Sequence, residues 1–98
     1  MQNTPLVWSL TDAHRDDLAA LADRVWAMPE TLYTEYRSAA EHEAMLRAKG
    51  FTVTTPVAGI PTAVMGEAGQ GGPVIAFLGE YDALPGLSQV AGIAEPRP

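Results

Sequence analysis

Two carboxylates set two residues apart, Glu80 and Asp82, follow closely on the most apolar run of the chain, Val74-Ile75-Ala76-Phe77-Leu78. Residues two apart on an extended chain point the same way, at about 3.3 Å of rise per residue, so both acids could face one site roughly 6 to 7 Å apart. In open α/β sheets ligands bind in the crevice beyond the carboxyl ends of the strands, which is where Glu80 and Asp82 would sit. Acids so placed suit hard-metal ligation, outer support of a histidine that holds a metal, or general-base work. The spacing fits equally well a pair of loop carboxylates that accept nearby backbone N–H groups ahead of a Pro-Gly turn.

Other chemistry-bearing residues give weaker patterns. His14, four residues before Leu18, falls on the same helix face and predicts a partly buried first-turn histidine. His42, between Glu41 and Glu43, predicts a solvated residue on its helix. The chain has no cysteine, hence no disulfide framework, thiolate nucleophile or thiolate ligand in this piece. Ser88 has no partner histidine and no strained elbow around it, which argues against a serine nucleophile. Trp26, Tyr33 and Tyr36 could form an aromatic box, although aromatics near helix ends more often pack a core or fill an interface. The stretch Gly66 to Gly72 reads as a hairpin-type loop, because no Lys-Ser or Lys-Thr pair and no helix follow it as a phosphate cradle requires.

The elements that would position these residues follow from periodicity. From Asp12 to Met28, Leu18, Leu21, Ala22 and Val25 recur at helical spacing. Thr11 is a fitting N-cap, Asp12 and Asp16 lie near the positive end of the helix dipole, and Pro29 ends the helix. A second helix is predicted over Thr34 to Lys49, with Glu35 in its first turn and Gly50 placed for a left-handed C-terminal residue. Phe51-Thr52-Val53-Thr54 then alternates as a strand with one covered face. Ala58-Gly59-Ile60-Pro61 reads as a turn and Thr62 to Met65 as the returning strand. Residues 74–78 suit a central strand covered on both faces, and Pro85-Gly86 matches the centre of a type II turn. The predicted fold class is α/β: two N-terminal helices followed by three strands of an incomplete mixed sheet.

The 98 residues suit one small domain. Apolar residues make up 47% and charged residues 18%, a globular balance. A net charge of −6 with only six Lys and Arg argues against nucleic acid as a partner. No apolar run approaches the roughly 20 residues needed to cross a bilayer. Met1 to Leu10 lack the basic start and apolar stretch of a secretory signal, so cytoplasmic residence is the expectation.

The run from Ile75 to Gly86, with Gly79-Glu80-Tyr81-Asp82-Ala83-Leu84-Pro85-Gly86 at its end, resembles the strand and loop of the zinc-peptidase family of aminoacylases, carboxypeptidases and amino-acid amidohydrolases. Within it, the run is most similar to the branch of aminobenzoyl-glutamate utilisation protein B. Further pieces agree in the same order. Val25-Trp26-Ala27-Met28-Pro29-Glu30, then Glu35 and Ser38, resemble the family's opening pattern; Leu46 to Phe51 resemble its helix-to-strand passage, and Ala58 to Ala63 its next strand entry. The resemblance runs from about residue 12 to residue 95, and its most specific part is the glutamate-tyrosine-aspartate strand end.

The resemblance implies that residues 1–98 are the N-terminal part of a metallohydrolase catalytic domain whose dimerisation domain lies elsewhere. Paired divalent metals, zinc or manganese, would activate a water that attacks the amide carbonyl of an N-acyl amino acid or small peptide, with a glutamate as general base. In many members a histidine ligand stands two residues before the counterpart of Asp82, and that aspartate orients it. Here Glu80 takes the histidine's place, as in the branch whose ligands come from a later histidine- and cysteine-bearing motif. Asp82 is therefore the candidate for outer support of the metal shell and Glu80 a weaker one. No metal ligand is expected within this chain, which alone would be inactive and hold no metal. Partners implied are the small-molecule substrate and a second subunit, or association through exposed edges. The alternative is a non-catalytic acidic module that pairs with another chain through its strand edges.

Overall fold

The computed structural model describes residues 3–97. Helices α1 (Thr4–Ala13), α2 (Arg15–Trp26) and α3 (Tyr36–Ala48) precede strands β1 (Thr52–Thr54) and β2 (Met65–Glu67). The mixed α/β class is as expected, but there are three helices rather than two and a two-stranded sheet rather than three strands.

The additional helix begins with Pro5 in its first turn, where a proline's missing N–H costs nothing. Its apolar residues reach no core, since Leu6, Val7, Trp8 and Leu10 are all more than half exposed. Thr11 is consequently not an N-cap. It lies inside α1, and its hydroxyl donates to the Val7 carbonyl at 2.8 Å. The chain breaks at His14, so Asp12 falls in the last turn of α1, while Asp16 and Asp17 occupy the positive first turn of α2.

Helices α2 and α3 pack antiparallel. Arg24 Nε meets Glu41 Oε2 at 2.8 Å and Lys49 Nζ meets Asp17 Oδ2 at 2.6 Å, a pairing whose order runs in opposite directions along the two helices. Between them Leu21 and Ala39 are buried, with the small Ala39 allowing close approach. At the end of α3 the Phe51 N–H donates to the Leu46 carbonyl and the Gly50 N–H to that of Arg47. Gly50 has φ +90°, so this is the Schellman ending the glycine predicts.

The chain then enters an antiparallel ladder in which Val53 faces Gly66, flanked by Thr52 with Glu67 and Thr54 with Met65. Val53 and Gly66 form the covered face against α3. A side-chain carbon at Gly66 would lie 3.0 Å from Leu46 Cδ2, so it would fit only if the Leu46 side chain gave way. The returning strand is Met65–Glu67 and not Thr62 to Met65, and this register puts Gly66 under Leu46. The turn lies at Val57–Ile60, where Ala58 and Gly59 both have positive φ, as a type I′ turn requires.

The run Val74 to Leu78 joins no ladder among the described residues. Val74, Phe77 and Leu78 are 92%, 94% and 100% exposed. The expectation of a strand covered on both faces is corrected here: a ladder needs neighbouring backbone, and none of the described segments lies alongside. The accessible surface, 8155 Å², exceeds by about half the value typical of a compact chain of this mass. The radius of gyration, 16.0 Å, likewise exceeds the roughly 13 Å of a compact domain this long.

Candidate functional site

Glu30 organises the region. It follows Pro29 in the link between α2 and α3, and its carboxylate turns onto the N-terminus of α3. Oε1 accepts the Ser38 N–H at 2.7 Å, and Oε2 accepts the Arg37 N–H at 3.1 Å and the Arg37 Nε–H at 3.3 Å. The first N–H groups of a helix lack intrahelical partners and carry partial positive charge, which a carboxylate satisfies. Burial raises the proton affinity of Glu30, but the Ser38 and Arg37 N–H groups outweigh it and bring the pKa down to about 2. Glu35, read as a first-turn acid, is instead the N-cap residue itself and makes no capping bond with its side chain.

The backbone of the same residue reaches the acid-bearing loop. Ala83 N–H donates to the Glu30 carbonyl at 2.7 Å, and Thr31 bridges Ala83 in parallel fashion. On the other side of Asp82, the Tyr81 hydroxyl donates to the carbonyl of the buried Thr62. The Tyr81 ring packs on the His42 imidazole with centroids 4.8 Å apart. Burial pushes the Tyr81 phenol above its ordinary pKa, and the Glu35 carboxylate adds to this.

Glu80 and Asp82 line one open cleft together with Glu35, Tyr33, Leu32 and Thr62. Asp82 is half-buried there and Glu80 is exposed. Glu80 also borders a neighbouring apolar groove formed by Leu18, Leu21, Val25 and Trp26, with His42 and Tyr81. Oε1 of Glu35 is buried without a hydrogen-bond partner, which makes Glu35 a third acid of the cleft. Carboxylates at such a wall can accept protons or hold donors in place. Among the described residues no group of three or more His, Cys, Asp or Glu side chains could hold a metal ion. The residues present do not by themselves build a metal site.

Several expectations need correcting. His14 is exposed at the break between α1 and α2, with Nδ1 3.1 Å from Lys49 Nζ, because the helix that was to bury it does not continue through it. His42 is half-buried rather than solvated: Nδ1 lies 2.8 Å from the Ser38 carbonyl and the ring faces Tyr81. Trp26, Tyr33 and Tyr36 are each about 60% exposed or more and neither join in a box nor enter the core. Tyr33 lines the acid cleft and Trp26 the apolar groove.

A subunit of the p-aminobenzoyl-glutamate hydrolase of Escherichia coli strain K12 is 51% identical to this chain over 85 residues, 87% of the chain and 18% of that protein. The chain is related to the amidohydrolases and peptidases. A Xaa-Arg dipeptidase of Mus musculus is 36% identical over 92 residues, 83% of the chain and 21% of that protein. The chain thus spans about a fifth of the length of these amidohydrolase and peptidase relatives. No family model matches it, and no solved structure matches it.

Sequence reasoning puts Glu80 and Asp82 at a cleft but misses what Glu30 does. A capping box joins residues three apart, whereas Glu30 reaches seven and eight residues forward. The available signal is an acid after proline, a short link and then a helix start.

Proposed function

We propose that this chain forms one wall of the active-site cleft of an amidohydrolase that cleaves the amide bond of N-acyl amino acids such as aminobenzoyl-glutamate, or of small peptides. In that reaction water adds to the amide carbonyl, the C–N bond breaks, and a carboxylate and an amine leave. The observation that carries the reading is the cleft itself: Glu35, Glu80 and Asp82 line one opening on a chain half identical to part of a p-aminobenzoyl-glutamate hydrolase. Asp82 is assigned to hold a hydrogen-bond donor of the reacting centre and Glu80 a lesser role beside it. A divalent metal, zinc or manganese, belongs to this reading through the family resemblance and would draw its ligands from other polypeptide, so the chain alone is inactive.

In this reading residues 1–98 open a catalytic domain, and further strands cover Val74 to Leu78. Association with a second subunit and a cytoplasmic setting belong to the same proposal. No helix among the described residues is long and apolar enough to cross a membrane. The test is release of glutamate from p-aminobenzoyl-glutamate, and of arginine from a dipeptide ending in arginine, by a polypeptide of the relatives' length that carries this chain. Hydrolysis of either supports the reading; inertness toward both, with and without zinc or manganese, rejects it. The exposure of Phe77 and Leu78 also favours a second reading, a module that pairs with another chain along this edge. Stable capture of a strand-forming partner by an inert full-length polypeptide would select it.

A further inference from the structure

We propose that Glu30 is a positioning residue for Asp82, a role that rests on the hydrolase reading for its purpose but not for its geometry. The two neighbours of Asp82 are each tied down. Tyr81 is held by the Thr62 carbonyl through its hydroxyl, and Ala83 by the Glu30 carbonyl through its N–H. Neither bond uses the Asp82 carboxylate, which stays available in the cleft.

Glu30 is the link between that loop and a rigid element. Three N–H donors from two residues of α3 converge on its carboxylate, and its side chain is only 10% exposed. A side chain so held fixes its own backbone, and the carbonyl that receives Ala83 is part of that backbone. Helix α3 therefore sets where the acid loop lies, although the loop itself makes no regular ladder. Functional groups need placement within about 0.5 Å, which loops achieve only when a supporting residue is itself locked. A carboxylate held at a helix N-terminus provides such a lock, and the charge on it strengthens the bonds it accepts.

The experiment is amide hydrogen exchange, followed residue by residue in the 98-residue chain, for the native sequence, Glu30→Gln and Glu30→Ala. Glu30→Gln keeps the shape and one acceptor for the Ser38 N–H, so it preserves the fold even where the loss of every acceptor in Glu30→Ala melts it. The expected result is exchange at Ala83 at least fivefold faster in Glu30→Gln, together with Arg37 and Ser38, while the β1–β2 amides are unchanged. Faster exchange at Arg37 and Ser38 with Ala83 within twofold of the native chain would overturn the proposal and leave Glu30 as a helix cap only. In a full-length polypeptide active on p-aminobenzoyl-glutamate, Glu30→Gln should lower kcat with KM within twofold. An unchanged kcat overturns the positioning role. Because exchange is read without substrate, it can fail while the hydrolase reading stands, and the reverse.

Discussion

The backbone N–H of Ala83 donates to the carbonyl of Glu30 at 2.7 Å, while the Glu30 carboxylate accepts the Ser38 N–H at 2.7 Å. One residue thus joins the start of α3 to the loop that bears Glu80 and Asp82, and the behaviour of that joint can be measured.

Acid should loosen it. Burial pushes the Glu30 carboxyl up from its ordinary pKa of 4.5, but the Ser38 and Arg37 N–H groups more than offset this and hold it at about 2 in the fold. A depressed carboxylate contributes stability that is present above its unfolded pKa and lost as the pH falls through the folded one. Denaturation midpoints should therefore decline from pH 4.5 toward 2, with Asp17, lowered by its bond to Lys49 and the charge of that lysine, acting in the same direction. Glu30→Gln should be less stable than the native chain at neutral pH and show a shallower decline. Parallel curves for the two would refute the assignment.

The ending of α3 makes a backbone prediction. Gly50 has φ +90°, and a side chain there costs about 1 kcal/mol even in open space. Urea denaturation of Gly50→Ala should register a loss of that order. Equal stability would mean that the helix ends differently in solution.

Helix α3 and its glycine ending are legible in the sequence, because amphipathic spacing and a left-handed glycine are local signals. Helix α1 is not: Thr11 and Asp12 read as the start of the following helix, whereas both lie inside α1 and the break comes at His14. The second strand lies at Met65–Glu67, in a register that brings Gly66 under Leu46, a contact with another element that no local pattern reveals. Glu80 and Asp82 do line a cleft, but their place after an apolar run does not explain it, since Val74 to Leu78 forms no ladder among the described residues. The anchoring of their loop through Glu30 and Tyr81 is not legible either, since those contacts close over long stretches of chain.

Exposure of Val74, Phe77 and Leu78 should make the 98-residue chain self-associate. Sedimentation should give a mass that rises with concentration, and Phe77→Lys should reduce the rise by opposing edge pairing. A strictly monomeric native chain with a sharp cooperative melt would contradict this.

With no group of three metal-ligating side chains among the described residues, the chain should bind zinc no more tightly than a peptide of like charge. Stoichiometric submicromolar binding in calorimetry would show that Glu35, Glu80 and Asp82 assemble a site unaided.

On the hydrolase reading, the Asp82 carboxylate supports the reacting centre. The most direct test is kcat/KM for p-aminobenzoyl-glutamate in a full-length polypeptide with Asp82→Ala. A loss of more than about tenfold is expected, the range seen when an outer support of a catalytic centre is removed, with the fold intact by circular dichroism. Unchanged turnover would reduce Asp82 to a turn residue and contradict its role at the reacting centre.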